Sequence, residues 1–164
     1  MTYAIHSLAC AQAITDHSTT LNHPLGTVVS ATDPTYGAAE FKYLLGVAST
    51  AVGSVVTYDA STYQTVLSAV GGNIPRPIAI AMSACVASEY GWYQISGVAV
   101  VKKTCTISLA AGAAVGVLTT GLIAGTGSGK EIQGATVAAV ASATAGRTTV
   151  KVMIDRPHKQ GRIT

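Results

Sequence analysis

The segment AGTGSGKE, residues 124–131, comes closer than any other part of this chain to a known chemical motif, the phosphate-binding loop. That loop requires a glycine, any four residues, and then Gly-Lys followed by Ser or Thr. Here Ala124 takes the first glycine position, and Glu131 replaces the hydroxyl that would hold magnesium. A carboxylate there would repel phosphate, and no helical pattern follows to supply an N-terminal dipole. The segment therefore predicts a flexible loop beside a strand, with no nucleotide or other cofactor bound.

Other side chains with catalytic or metal-binding chemistry are few and dispersed. The four histidines, at positions 6, 17, 23 and 158, never stand two or four residues apart, so none pairs with another at a spacing suited to one metal ion. No Gly-x-Ser-x-Gly segment marks a nucleophile, and seven acidic residues leave little for paired-carboxylate catalysis. The sequence predicts no catalytic residue, no metal site and no small-molecule substrate, so an enzyme is not expected.

The three cysteines, Cys10, Cys85 and Cys105, are far apart and odd in number. No two of them form the Cys-x-x-Cys pair typical of zinc and redox sites. We therefore predict buried free thiols in a reducing cytoplasm. The first residues, MTYAIH, lack a basic segment followed by an apolar one, so no signal peptide is expected.

One uncharged stretch, residues 104–129, raises the question of a membrane span. It contains Gly112 and Gly116 at the spacing of helix-dimer motifs. Alanine, glycine and threonine dominate it, however, and few large apolar side chains are present to drive insertion. The stretch predicts strands punctuated by glycines, and no membrane contact.

Charge is scarce and unevenly distributed. Only 10% of the residues are charged, whereas soluble domains average about 25%. Residues 1–75 hold one base and four acids, net −3, and residues 76–164 hold nine bases and three acids, net +6. We infer that other chains cover much of the outer surface, through head-to-tail contact between subunits or docking on an acidic surface. The basic C-terminal region lacks interleaved aromatic residues, so nucleic acid is not an expected partner.

The composition favours strands over helices. Val, Ile and Thr account for 50 of the 164 residues, against nine Leu. Turn signals recur every 8–12 residues or so and separate eight or nine short apolar runs. The pattern predicts an all-β fold, a small β-sandwich or barrel with at most one short helix. Residues 135–145 could be that helix or another strand.

Individual segments give the expected layout. Residues 1–24 show no clean period and predict an extended N-terminal arm ordered against a partner, followed by a single β-rich domain over residues 25–164. Turns are predicted at residues 33–37 and 59–61. Residues 91–102 contain the only Trp and predict a strand that bends or bulges at Gly97.

Three segments resemble small virion proteins of tailed bacteriophages, the head decoration or cement family. They are residues 25–50, residues 52–58, and residues 79–83 leading to residues 90–97, whereas residues 154–157 resemble the family more loosely. The resemblance implies a β-tulip-like protein that forms homotrimers on the outer surface of the icosahedral head. It would clamp neighbouring major capsid protein subunits, with an N-terminal arm reaching onto the lattice. No catalytic residue comes with this family.

Contacts with the capsid or with neighbouring subunits are expected from the arm, the Trp92 strand and the basic C-terminal region. The predicted contact residues are His17, His23, Trp92, Tyr93, Arg156, Lys159 and Arg162. Two alternatives stay open at this point. The chain could be another virion subunit, of a tail tube or a head fibre, or thirdly a small β-barrel enzyme.

Overall fold

The computed structural model describes residues 4–5, 12–70, 75–104, 106–142 and 148–161. Regular structure in these residues is entirely β-strand, which confirms the predicted all-β class. The strands are β1 Ala4–Ile5, β2 His17–Ser18, β3 Val28–Asp33, β4 Gly37–Leu45, β5 Val55–Tyr58, β6 Thr65–Leu67, β7 Ile78–Ala81, β8 Tyr90–Lys102, β9 Ala114–Thr119, β10 Leu122–Gly125, β11 Glu131–Val137 and β12 Thr149–Lys159. The described residues contain no helix long and apolar enough to cross a membrane.

The strands form one antiparallel sheet that curls into a half-barrel. Its main order is β1-β3-β4-β8-β12-β11-β9-β10, and β7 joins β5 and β6 to the side of β8. β8 is 13 residues long and central, because its first half pairs with β4 and its second half with β12. Just beyond β8, Lys103 forms a parallel bridge with Ile123 of β10. The far edge of the sheet therefore returns to the end of its central strand.

The interior is divided into three apolar clusters. The largest fills the curl of β8 to β12 with small branched side chains, among them Val101, Val117, Ile132 and Val152. The other two lie on opposite faces of β4 and β8, because neighbouring residues of a strand point to opposite sides. Trp92 accordingly belongs to one cluster, and Tyr93 belongs to the other.

The predicted irregularity of the Trp92 strand is present. Gly97 has a φ of 96°, in the left-handed region that favours glycine. A Cβ atom at Gly97 would lie 2.6 Å from the carbonyl oxygen of Ala38. The β4–β8 register shifts beside it, so that Ile95 is passed over between two paired neighbours. This bulge bends β8 where it exchanges β4 for β12 as its main partner.

Residues 12–24 lie against the sheet and do not extend away from it. Ile14 is buried, and β2 pairs with the start of β8. Gln12 Nε2 donates a hydrogen bond to the carbonyl oxygen of Tyr90 at 3.1 Å. The prediction of an extended arm is therefore wrong for this part of residues 1–24, because the segment covers apolar side chains of its own domain. Of residues 1–11, the structure describes Ala4–Ile5, which pair with β3.

Candidate binding cleft

A cleft of about 320 Å³ opens between β4 and the C-terminal part of β12. We call it the basic cleft, and its lining residues are Val28, Lys42, Tyr58, Pro75, Pro77, Ile78, Ile95, Arg156, Pro157 and His158. Its volume is at the lower end of the range, about 300–1,000 Å³, seen for pockets that hold small ligands. Two basic side chains and a histidine converge there on walls that are otherwise mostly apolar.

A change of partner along β12 places Arg156 at the cleft. β12 pairs with β8 as far as Asp155, and His158 then bridges to Pro77 on the far wall. At the crossing point Arg156 has a φ of 41°, a left-handed conformation that is costly for a residue with a side chain. On the neighbouring strand, Gly134 is skipped in the register and approaches the carbonyl oxygen of Asp155 closely. The bulge turns Arg156 outward over the cleft.

Lys42 is held on the opposite wall by two tyrosine rings. Its Nζ lies 5.1 Å from the centroid of the Tyr58 ring and 5.6 Å from that of Tyr63, both within cation–π range. Burial lowers the pKa of Lys42, and the positive charge of Arg156 lowers it further. Neither of the two ion pairs found among the described residues includes Lys42. The ammonium group therefore faces the cleft without a carboxylate of its own.

Arg156 does have a carboxylate partner. Its Nη2 donates a hydrogen bond to Glu40 Oε2 at 2.9 Å. The Arg156 side chain nevertheless remains 68% exposed, and a guanidinium carries five N–H donors. Several donors therefore stay available to a second acceptor. The described lining residues themselves include two basic side chains and no acidic one.

The chemistry offered by this arrangement is anion binding. The described lining residues include no Ser, Thr or Cys, the usual nucleophiles of covalent catalysis. The one cysteine within the described residues, Cys85, is buried elsewhere, and burial raises the pKa of its thiol to about 11. No group of three metal-binding side chains occurs in the described parts of the chain. Lys42 and Arg156 can instead hold a carboxylate or a phosphate by charge-assisted hydrogen bonds.

Of the predicted contact residues, Arg156 lies at the cleft and His17 lies exposed elsewhere. His17 is on β2, with its Nε2 3.7 Å from Glu89 Oε2. Lys159 is buried, and its Nζ donates to the carbonyl oxygen of Ala69 at 2.8 Å. Its predicted contact role is therefore wrong, since that ammonium group ties β12 to its own domain. Arg162 lies outside the described residues.

The predicted contact roles of Trp92, Tyr93 and His23 are also corrected by the structure. Trp92 and Tyr93 are fully buried inside the chain. His23 is buried as well, with its ring centroid 5.3 Å from that of Trp92. Large aromatic side chains bury well either in a core or at an interface, and here both faces of β8 are covered by the same chain. All three are core residues.

Sequence reasoning did not identify Lys42, Tyr58 and His158 as site residues. Lys42 did carry a signal, since it is the single base among residues 1–75. The alternation of β4 correctly separates it from Phe41 and Tyr43. Nothing in the sequence, however, indicates that β12 brings Arg156 to the same face. That proximity depends on a pairing between distant parts of the chain.

A second cavity, of about 260 Å³, is lined by residues of β8 and β12, by Tyr36, and by the segment after β11. There Lys151 Nζ sits 5.0 Å from the centroid of the Tyr36 ring. The remaining lining is mainly small and apolar, and it includes the exposed Val140. This cavity holds one cation where the basic cleft holds two, so it provides a natural comparison site.

No protein-family model matches the sequence, and no curated protein matches it. The resemblance to head decoration proteins therefore stays a prediction from the sequence.

Proposed function

We propose that this chain is a structural virion protein that decorates the outer surface of a tailed-phage head. It binds the major capsid protein there as a homotrimer and stabilises the capsid lattice after synthesis in the host cytoplasm. The observation that carries the proposal is the apolar character of its exterior. Large apolar side chains stand in solvent at sites spread over the fold, and with 10% charged residues the surface has few charges to separate them.

Three positions illustrate that exterior. Val140 is 71% exposed beyond β11, and Leu21 and Val52 are each 52% exposed in separate loops. Each apolar side chain that a partner covers stabilises the complex in proportion to the area removed from water. A single contact of this kind is weak. Many copies on a regular lattice convert weak single contacts into strong overall attachment.

The basic cleft adds direction to this attachment. Exposed apolar contacts give affinity without much selectivity, whereas converging cations select an acidic surface and exclude a basic one. Lys42 and Arg156 supply that selection, although 114 positions separate them in the sequence. Capsid binding by this chain then combines broad apolar contact with one charged anchor.

The experiment that tests the proposal is binding to heads. Heads of the phage whose genome carries this gene are prepared without the protein, mixed with the purified chain, and sedimented. We expect saturable binding at a fixed copy number per capsid subunit and raised resistance of the heads to heat. Absence of binding to heads, with binding to tails instead, would overturn the proposal.

Native mass spectrometry of the free protein separates the proposed role from the alternative of a tail tube. A decoration protein of this kind is expected at three times the mass of one chain. A closed ring of more subunits would favour the tail-tube alternative. A monomer that converts a substrate would instead favour an enzyme.

A further inference from the structure

We propose that the basic cleft binds a carboxylate side chain of an extended acidic segment in a partner protein. Lys42 would hold one carboxylate from the β4 wall, and Arg156 would hold it from the β12 wall. The inference deepens the proposed function, and it rests on that function for the identity of the partner, an acidic segment of the capsid surface.

The charge balance of the cleft is the first argument. Lys42 and Arg156 line the same cavity. Of the two ion pairs among the described residues, one joins Arg156 to Glu40 and neither includes Lys42. Burial lowers the pKa of Lys42, and repulsion by the nearby Arg156 lowers it further. An incoming carboxylate would attract both and relieve that repulsion. The partly buried position of Lys42 strengthens the attraction, because it is screened less than in bulk water.

The walls of the cleft favour a peptide over a free anion. Pro75, Pro77 and Ile78 form one side, and Val28 is 45% exposed on the other. Apolar and proline surfaces of this kind offer nothing to inorganic phosphate, which needs donors on several sides. They do suit the aliphatic side chains that flank an acid in an extended segment.

The aromatic groups of the cleft argue against nucleic acid. Tyr58 is the one Phe, Tyr or Trp among the described lining residues, and it is buried. Its ring is already covered by the Lys42 ammonium at 5.1 Å. Single-stranded nucleic acid is usually held by bases stacked on open aromatic faces. The one exposed aromatic ring among the described lining residues is the His158 imidazole, and a single ring does not form a stacking platform for successive bases.

The test uses short blocked peptides and the full chain. The probe is acetyl-Pro-Glu-Leu-Glu-Pro-amide, the matched control peptide has Gln in place of both Glu, and binding is followed by ¹H–¹⁵N chemical-shift changes. We expect saturable shifts at residues lining the basic cleft with the Glu peptide. The Gln peptide should bind about tenfold more weakly or not at all, since the charge-assisted hydrogen bonds are lost.

Three variants locate the site. Lys42→Met and Arg156→Gln should each weaken the Glu peptide by about tenfold. Lys151→Met removes a lysine with the same relation to a tyrosine ring but outside the cleft, so binding should be unchanged. Arg156 is exposed, so its variant keeps the test informative even where Lys42→Met fails to fold.

Four results would overturn the inference. They are the absence of peptide binding, equal binding of the Gln peptide, equally strong shifts from inorganic phosphate alone, and tighter binding of a short oligothymidine. Head binding is measured separately on the same variants. If the unmodified chain attaches to heads but does not bind the Glu peptide, this inference alone is rejected. If it binds the peptide but does not attach to heads, the proposed function alone is rejected.

Discussion

The indole Nε1 of Trp92 donates a hydrogen bond to the main-chain carbonyl oxygen of Gln12 at 3.1 Å. The bond joins the centre of the sheet to the N-terminal segment, across 80 positions of sequence. Gln12 extends the connection with its own side chain. Its Oε1 accepts hydrogen bonds from the Tyr43 hydroxyl at 2.7 Å and from Asn22 Nδ2 at 2.9 Å. Residues 12–24 are therefore fixed to the fold by buried polar contacts as well as by apolar packing.

Replacing this hub predicts a loss of stability. Gln12→Met keeps the approximate size of the side chain but leaves the buried Tyr43 hydroxyl without its acceptor. We expect the free energy of unfolding to fall by about 2–3 kcal/mol, because a buried polar group then lacks a partner. Urea unfolding measures this loss. Gln133→Met, at an exposed position of β11, is the matched control and should change stability by less than about 0.5 kcal/mol.

Amide hydrogen exchange gives a second readout for the same variant. Gln12→Met should speed exchange in residues 12–24 more than in β12. Uniformly faster exchange across the whole chain would show that the segment opens only with the rest of the domain.

Lys103 is the basis of a second prediction. It is buried, and its Nζ donates to the carbonyl oxygens of Ile107 and Ser142, each at 3.1 Å. Lys103→Met would leave these carbonyls without their donor. We expect a loss of about 2–4 kcal/mol in unfolding free energy. Thermal and urea unfolding both measure it. Lys102→Met, one position away and half-buried, should cost far less, and equal costs would contradict a structural role for Lys103.

This pair of lysines shows where sequence reasoning ends. Two consecutive lysines at the end of an apolar strand would ordinarily be expected at the surface. Strand alternation does place them on opposite sides, but it does not say which side another segment covers. The cover comes from the segments that contain Ile107 and Ser142. These segments meet at an isolated bridge between Leu109 and Ala141. The burial of Lys103 depends on segments that are distant in the sequence, so strand alternation alone does not predict it.

Features set by local chemistry were predictable. Asp33 Oδ1 accepts hydrogen bonds from the backbone N–H groups of Thr35 and Tyr36, so the turn after β3 is present as expected. Asp59 makes the equivalent bonds to Ser61 and Thr62. The meeting of Lys42 with Arg156 could not be predicted in the same way, because it depends on long-range pairing and on a bulge in β12.

Alkaline pH should weaken the fold through Cys85. Burial raises the pKa of its thiol from 9.0 to about 11. The contribution of the buried, protonated thiol to the free energy of unfolding is therefore complete below about pH 9. It declines as the pH rises towards about 11, because the thiol of the unfolded chain loses its proton first. At about pH 10.5 the loss relative to pH 8 should be about 2 kcal/mol.

Urea unfolding in the presence of a reductant, at both pH values, measures this loss. Burial also raises the pKa of Tyr43, Tyr58 and Tyr93, and these tyrosines add their own loss of stability as the pH rises. The informative quantity is therefore the difference from Cys85→Ala. That variant should lose about 2 kcal/mol less between the two pH values. An identical pH dependence in the two proteins would show that the thiol makes no such contribution.

The strained conformation of Arg156 leads to the last prediction. With its φ of 41°, a side chain there costs energy that glycine avoids. Arg156→Gly and Arg156→Ala both remove the ion pair to Glu40, so their difference isolates the backbone. We expect the Gly variant to be more stable than the Ala variant by about 1 kcal/mol. At Met153, an exposed position of the same strand, the order should reverse, because glycine usually weakens a strand by about 0.5–1 kcal/mol.

Both pairs are compared by urea unfolding under identical conditions. Should the Ala and Gly variants at position 156 be equally stable, the left-handed conformation would not be enforced by the bulge.

The expected order of stability has a functional meaning for the basic cleft. Glycine at this crossing point would make the fold more stable than arginine does. The chain instead carries Arg156, whose side chain contacts Glu40 and lines the cleft. The proposed binding of an acidic partner supplies a reason for accepting that strain.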